Sequence, residues 1–170
     1  MEKSADIRAN LQKPGFKGNA FFDREIISHV ATTGGITGEM VRDLMIESVE
    51  ARFGPTARLP HAVEWLSDNG SCYTATETIS FAKDLGFISC FTPVRSPESN
   101  GMGGIPGEAF VKTFKHDYVY VHDHPDAKTV VSQLDQWFED YNEYHPHKGL
   151  KMKSPRQFLR SQLLTASCPV

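Results

Sequence analysis

Short β-rich runs alternate along this chain with amphipathic stretches that carry their own start and stop residues, and that alternation leaves few folds open. Ile26-Ile27-Ser28-His29-Val30-Ala31-Thr32-Thr33 is β-rich, ends at Gly34-Gly35 and predicts a strand entered through a turn at Asp23-Arg24-Glu25. Met40, Val41, Leu44, Met45, Val49 and Phe53 recur at helical spacing, with Thr37 as N-cap and Gly54-Pro55 as the stop, which predicts a helix over 38–53. Val63 to Leu66 reads as a short strand running into the turn Ser67-Asp68-Asn69-Gly70. A helix over Thr76 to Leu85, closed by Gly86, and a strand over Phe87 to Thr92 follow. Beyond a Gly/Pro-rich loop from Pro93 to Gly107, a helix starts near Glu108 with Phe110, Phe114 and Tyr118 four residues apart. The last long helix spans Asp126 to Tyr144 on a stripe of Val130, Leu134, Trp137 and Tyr141, and the tail from His145-Pro146-His147 through Ser154-Pro155-Arg156 reads as polar and turn-rich. The class is α/β.

The chain has 170 residues, 39% of them hydrophobic and 23% charged, enough to bury a core and too apolar for a disordered tail. Its 18 Lys and Arg against 21 Asp and Glu give a net charge of −3, which excludes a basic footprint over the whole domain and leaves a local basic patch open. No apolar run approaches the roughly 20 residues of a membrane span, and the N-terminal residues hold no apolar signal core. Cys72, Cys90 and Cys168 form neither a disulfide framework nor a CxxC pair, so the expected compartment is the reducing cytoplasm.

Two acidic residues stand where chemistry is commonly placed. Asp68 directly follows a predicted strand, where α/β proteins put functional groups, though an Asp in such a turn also bonds its own backbone. Glu108 opens a helix, where any acid is favoured by the helix dipole. Lys112 and Lys115 follow it by four and seven residues on the face opposite Phe110, Phe114 and Tyr118. A carboxylate backed by two ammonium groups could hold a divalent cation beside a phosphate backbone, or could simply be a solvated face with an ion pair. His145 and His147 could be read as metal ligands, but such ligands need more partners than are visible here, and a loop with surface or DNA contacts is the favoured reading; Tyr141 and Asn142 read as the end of the last helix.

Several strings resemble the integrase-type catalytic core of bacterial insertion-sequence transposases of the DDE group: ATTGGITGEMVRDL (31–44), WLSDNGSCY (65–73), TPVRSPESNGM (92–102), EAFVKTFKHDYV (108–119), WFEDYNEYHPHKGL (137–150) and SPRQF (154–158). The likeness covers roughly residues 20 to 160, in family order. It implies a ribonuclease H-like fold, a mixed sheet with helices on both faces. It also implies Mg²⁺ (or Mn²⁺) held by acidic residues, with in-line phosphoryl transfer on DNA as the reaction. In that family's pattern Asp68 stands at the second acid and Glu108 at the third, both as catalytic metal ligands. Lys112 and Lys115 resemble the helix lysines that touch DNA. Arg95, Ser96, Asn100 and Gly101 fall in the loop before that helix, Arg95 and Asn100 as further DNA contacts, and Tyr73 packs near the site. The implied partners are terminal-repeat and target DNA, with a second copy or a full-length transposase, and no membrane.

Two departures from the family pattern shape the expectation. The 39 residues from 69 to 107 exceed the family's spacing between its second and third acids, and the excess falls in Gly103 to Gly107. The family's first acid sits on a strand upstream of the Asp23-Arg24-Glu25 turn, and residues 1–18 do not match it. The expected organisation is a leader over 1–18, a partial catalytic core lacking its first strand over 19–160, and a tail over 161–170. Such a core is expected to be inactive alone. The alternative is a non-catalytic remnant that binds DNA or a full-length transposase.

Overall fold

The computed structural model describes residues 23–32, 34–91, 113–122 and 126–166, with side chains described as far as residue 164. These fall into two compact units, 27–122 in one and 23–26 with 126–166 in the other.

The first unit is organised by helix α1, Gly38–Phe53. Thr37 caps it by accepting the Met40 N–H on its hydroxyl, and Gly54 ends it at φ 80°, in a region that favours glycine. Strand β1, Val63–Ser67, buries Val63, Trp65 and Ser67 and turns Glu64 to solvent, the period-two pattern of a sheet with one covered face. Two helices, α2 (Ser71–Thr74) and α3 (Thr76–Leu85), carry the chain to strand β2, Phe87–Phe91, which pairs parallel to β1 from Val63↔Phe87 to Ser67↔Phe91. Gly86 makes the last turn possible: its φ is 99°, and a Cβ there would lie 3.2 Å from Leu59 Cβ. Val41, Leu44, Met45 and Val49 from α1, Trp65 from β1, Leu85 from α3 and Phe87 from β2 share one core. Trp65 and Phe87 meet edge to face at 5.1 Å. The α/β class expected from the sequence is therefore present, with a small parallel sheet and flanking helices.

Two expectations in this unit are corrected. Residues 26–32 form no strand; among the described residues no ladder partner lies beside them. The Ser28 hydroxyl ties the segment to α1, with its Oγ 2.6 Å from Ser48 Oγ and 3.4 Å from the Leu44 carbonyl oxygen. The helix expected to run from Glu108 through Tyr118 is α-helical only at 113–114 where described, and Lys115–Val119 forms a π-helical turn. The Tyr120 N–H closes it on the Lys115 carbonyl at 2.8 Å. Phe114 and Tyr118 still share a face and stack at 4.9 Å.

In the second unit, α4 spans Ala127–Tyr144, with the Asp126 carboxylate accepting the Thr129 N–H at 2.8 Å. Leu134, Trp137 and Tyr141 are buried, as the stripe predicts. Asn142 is buried too, and is more than a helix end: its amide accepts the Ile26 N–H and donates to the Ile26 carbonyl, each at 2.9 Å. The tail is not merely turns. A loop closed by the bridge His147↔Lys153 wraps a 3-10 turn, Lys148–Leu150, and helix α5 follows over Pro155–Ala166. Ser154 and Gln157 bond reciprocally, Gln157 N–H to Ser154 Oγ at 3.3 Å and Ser154 N–H to Gln157 Oε1 at 3.2 Å, a capping box with Pro155 in the first turn.

Candidate functional site

Asp68 follows β1 immediately, at the carboxyl ends of the two parallel strands, because Ser67 is in register with Phe91. It is exposed, and its Oδ1 accepts the Gly70 N–H at 2.8 Å. That bond makes the turn Asp68-Asn69-Gly70 an Asx-turn and fixes the carboxylate relative to the strand end. Gly70 leaves just enough room: a Cβ there would stand 2.9 Å from Asp68 Oδ1 and 3.2 Å from the Tyr73 ring. Tyr73 is buried behind the turn. Burial pushes its phenol well above the ordinary value, and the neighbouring Cys72 and Asp68 push the same way, so the ring stays neutral. The turn thus presents a single hard oxygen donor on a well-defined base.

Asp68 fits oxygen-loving Mg²⁺ in kind. It does not complete a site by itself: among the described residues no three His, Cys, Asp or Glu side chains gather to hold a metal ion. Glu108, the other expected ligand, lies outside the described residues, as do Lys112, Arg95, Asn100, Ser96 and Gly101. Lys115 is described, half-buried at the first position of the π-helical turn. An open groove on the same unit is lined by Arg42, Glu77, Ser80, Phe81 and Asp84 among others, and Asp68 is not part of it.

His145 and His147 are occupied in packing. His145 stacks on Tyr141 at 5.0 Å, and His147 meets Tyr141 and His145 edge-on at 5.2 and 5.0 Å. Sequence reasoning missed the ionic cluster of this unit. Arg156 bonds Glu25 at 3.0 Å, Glu143 at 3.1 Å and also Glu139, while Arg160 grips both oxygens of Glu143 at 2.6 and 2.9 Å. Those donors, Arg156 first, hold the Glu143 carboxyl below its ordinary value. No local motif signals the Glu25 contact, because it joins residues 131 positions apart.

The integrase core domain family matches residues 89–155. An insertion element IS136 protein of Agrobacterium fabrum, itself uncharacterized, is 57% identical over 142 residues, covering 83% of this chain and 70% of that protein. Transposase InsD for insertion element IS2 of Escherichia coli is 50% identical over 141 residues, 82% of this chain and 45% of that transposase. The crystal structure of the catalytic core domain of BIV integrase covers 77% of this chain and 76% of its own at 17% identity, with a TM-score of 0.47.

Proposed function

Because this chain belongs to the integrase core domain family of insertion-element proteins, we propose that it supplies part of a transposase core acting on DNA, with Asp68 and Glu108 as ligands of Mg²⁺ or Mn²⁺. The observation that carries the reading is the exposed Asp68 carboxylate, pinned by the Gly70 N–H at the carboxyl end of a parallel strand. A divalent ion held there would polarise a phosphodiester and favour its attacking and leaving oxygens. The chain's own residues have simpler tasks. Asp68 keeps one oxygen engaged with Gly70 so that the carboxylate enters any complex already oriented. Lys112, Lys115 and Arg95 bind and orient the DNA backbone as local cations on a chain whose overall charge is −3, and the neutral amide of Asn100 adds a hydrogen-bonding contact.

Asp68 and Glu108 answer to two of the family's three acids, and the strings of this sequence that resemble the family do not include one for the first. The 170 residues by themselves are therefore expected to bind DNA and not to transfer strands. The test measures binding and nicking of a fluorescent duplex carrying the element's terminal repeat, with and without Mg²⁺. The expected result is Mg²⁺-strengthened binding, lowered by Asp68→Asn and by Glu108→Gln, with no nicking above background. Nicking that Asp68→Asn abolishes would overturn the expected inactivity, and absence of any DNA binding would overturn the whole reading.

A further inference from the structure

We propose that the loop between α4 and α5 is a separate contact for the phosphate backbone of double-stranded DNA, made by Lys148, Lys151 and Lys153; this rests on the reading that the chain engages DNA. The first support is charge segregation. From Tyr144 to Val170 the chain holds Lys148, Lys151, Lys153, Arg156 and Arg160 and no Asp or Glu, against a net charge of −3 overall. The second is what those cations do. Arg156 and Arg160 are engaged by Glu25, Glu139 and Glu143, whereas no carboxylate among the described residues pairs with any of the three lysines. Lys148 and Lys151 are exposed and Lys153 half-exposed.

The third support is rigidity. Leu150 is buried to 1% exposure at the middle of the loop and anchors it. Backbone bonds close the loop from within: His147 N–H to Lys153 carbonyl at 3.1 Å, Met152 N–H to His147 carbonyl at 2.8 Å, and Lys151 N–H to Lys148 carbonyl at 3.1 Å. Lys151 and Met152 both sit in the left-handed region, at φ 57° and 61°, a conformation that ordinary side chains adopt at a cost. Lys151 thus presents its charge from a position where glycine would cost the backbone less. Three ammonium groups without a carboxylate partner among the described residues, on a loop whose backbone is already closed, suit a regular array of phosphates with little backbone ordering left to pay on binding.

The strained position supplies an informative variant. Lys151→Gly removes the charge while relaxing the backbone, so it is expected to bind DNA less well and to melt no lower than the parent chain. The experiment measures duplex affinity against salt concentration for the full 170-residue chain. The slope of log affinity on log salt is expected to fall by about 0.9 for Lys151→Gly and about 2.7 for Lys148→Ala/Lys151→Gly/Lys153→Ala. Affinity of the triple variant is expected to drop about tenfold or more near 0.1 M salt. Lys83→Ala/Lys128→Ala, which removes exposed charge elsewhere, is expected to keep the parental slope. If the triple variant fails to fold, the single Lys151→Gly slope decides. An unchanged slope in chain that still binds DNA overturns this proposal and leaves the functional reading standing. An equal fall in the Lys83/Lys128 control also overturns it, and no binding by the parent chain overturns both.

Discussion

At Gly70 the backbone is ordinary, φ −60° and ψ 145°, so any residue suits it conformationally. The constraint is space: a methyl group would stand 2.9 Å from Asp68 Oδ1. Gly70→Ala is therefore expected to displace the exposed Asp68 carboxylate and press on the Tyr73 ring, destabilising the first unit by no more than about 1 kcal/mol. Because the clash is with one carboxylate oxygen, Asp68→Ala should recover part of that loss, and a double-mutant cycle in urea reads the coupling directly. Strict additivity of the two changes would show that Gly70 is not shaped by Asp68. Asn142 carries a different burden. It satisfies both backbone groups of Ile26 from a position 2% exposed. Asn142→Leu keeps the volume and orphans both groups, so urea unfolding is expected to show a loss of about 2–3 kcal/mol. A loss below about 0.5 kcal/mol would mean that water replaces the amide at little cost.

Among the elements, α5 rests on a capping box that lies in plain sight as Ser154-Pro155-Arg156-Gln157. Ser154→Ala removes the acceptor of the Gln157 N–H and is expected to cost about 1 kcal/mol, read by thermal or urea unfolding. The same element shows where sequence reading stops. Helices α1 and α3 were legible to their ends because Thr37, Gly54 and Gly86 mark them locally. The α5 signal was just as local, but polar residues around it read as a tail. The segment after Glu25 misled in the opposite direction: β-branched residues mark a strand only where a ladder partner lies beside them, and here Asn142 and Ser48 side chains take the polar contacts. The π-helical turn at Lys115–Val119 was not legible, since Phe114 and Tyr118 keep a four-residue spacing in both geometries. Of the candidate site, Asp68 was legible because a strand end and an Asx-turn are both written within a few residues. The Arg156 cluster was not, because its partners come from three separate stretches of chain.

For the whole molecule the informative quantity is how its 21 acidic residues respond to falling pH. The N–H donors of Arg156 and then Arg160 hold the folded Glu143 carboxyl below its ordinary value of 4.5, while the unfolded chain takes up its proton near that value. Between the two, the unfolded state binds more protons, so stability rises with pH across this window. The contribution is complete above the unfolded value and disappears as pH falls through the folded one. Asp126, lowered chiefly by the Thr129 N–H, acts in the same direction, whereas Arg156 keeps its charge throughout and adds no slope of its own. Glu143→Gln is thus expected to lower the melting temperature near neutral pH and to flatten its decline between roughly pH 6 and pH 3. Added salt should shrink the difference between the two proteins, since half of this cluster is open to solvent, with Arg160 and Glu139 each 61% exposed. Parallel melting curves for the two proteins across that range would show that Glu143 titrates alike in the folded and unfolded chain, and that the Arg156 cluster orders the second unit without stabilising it.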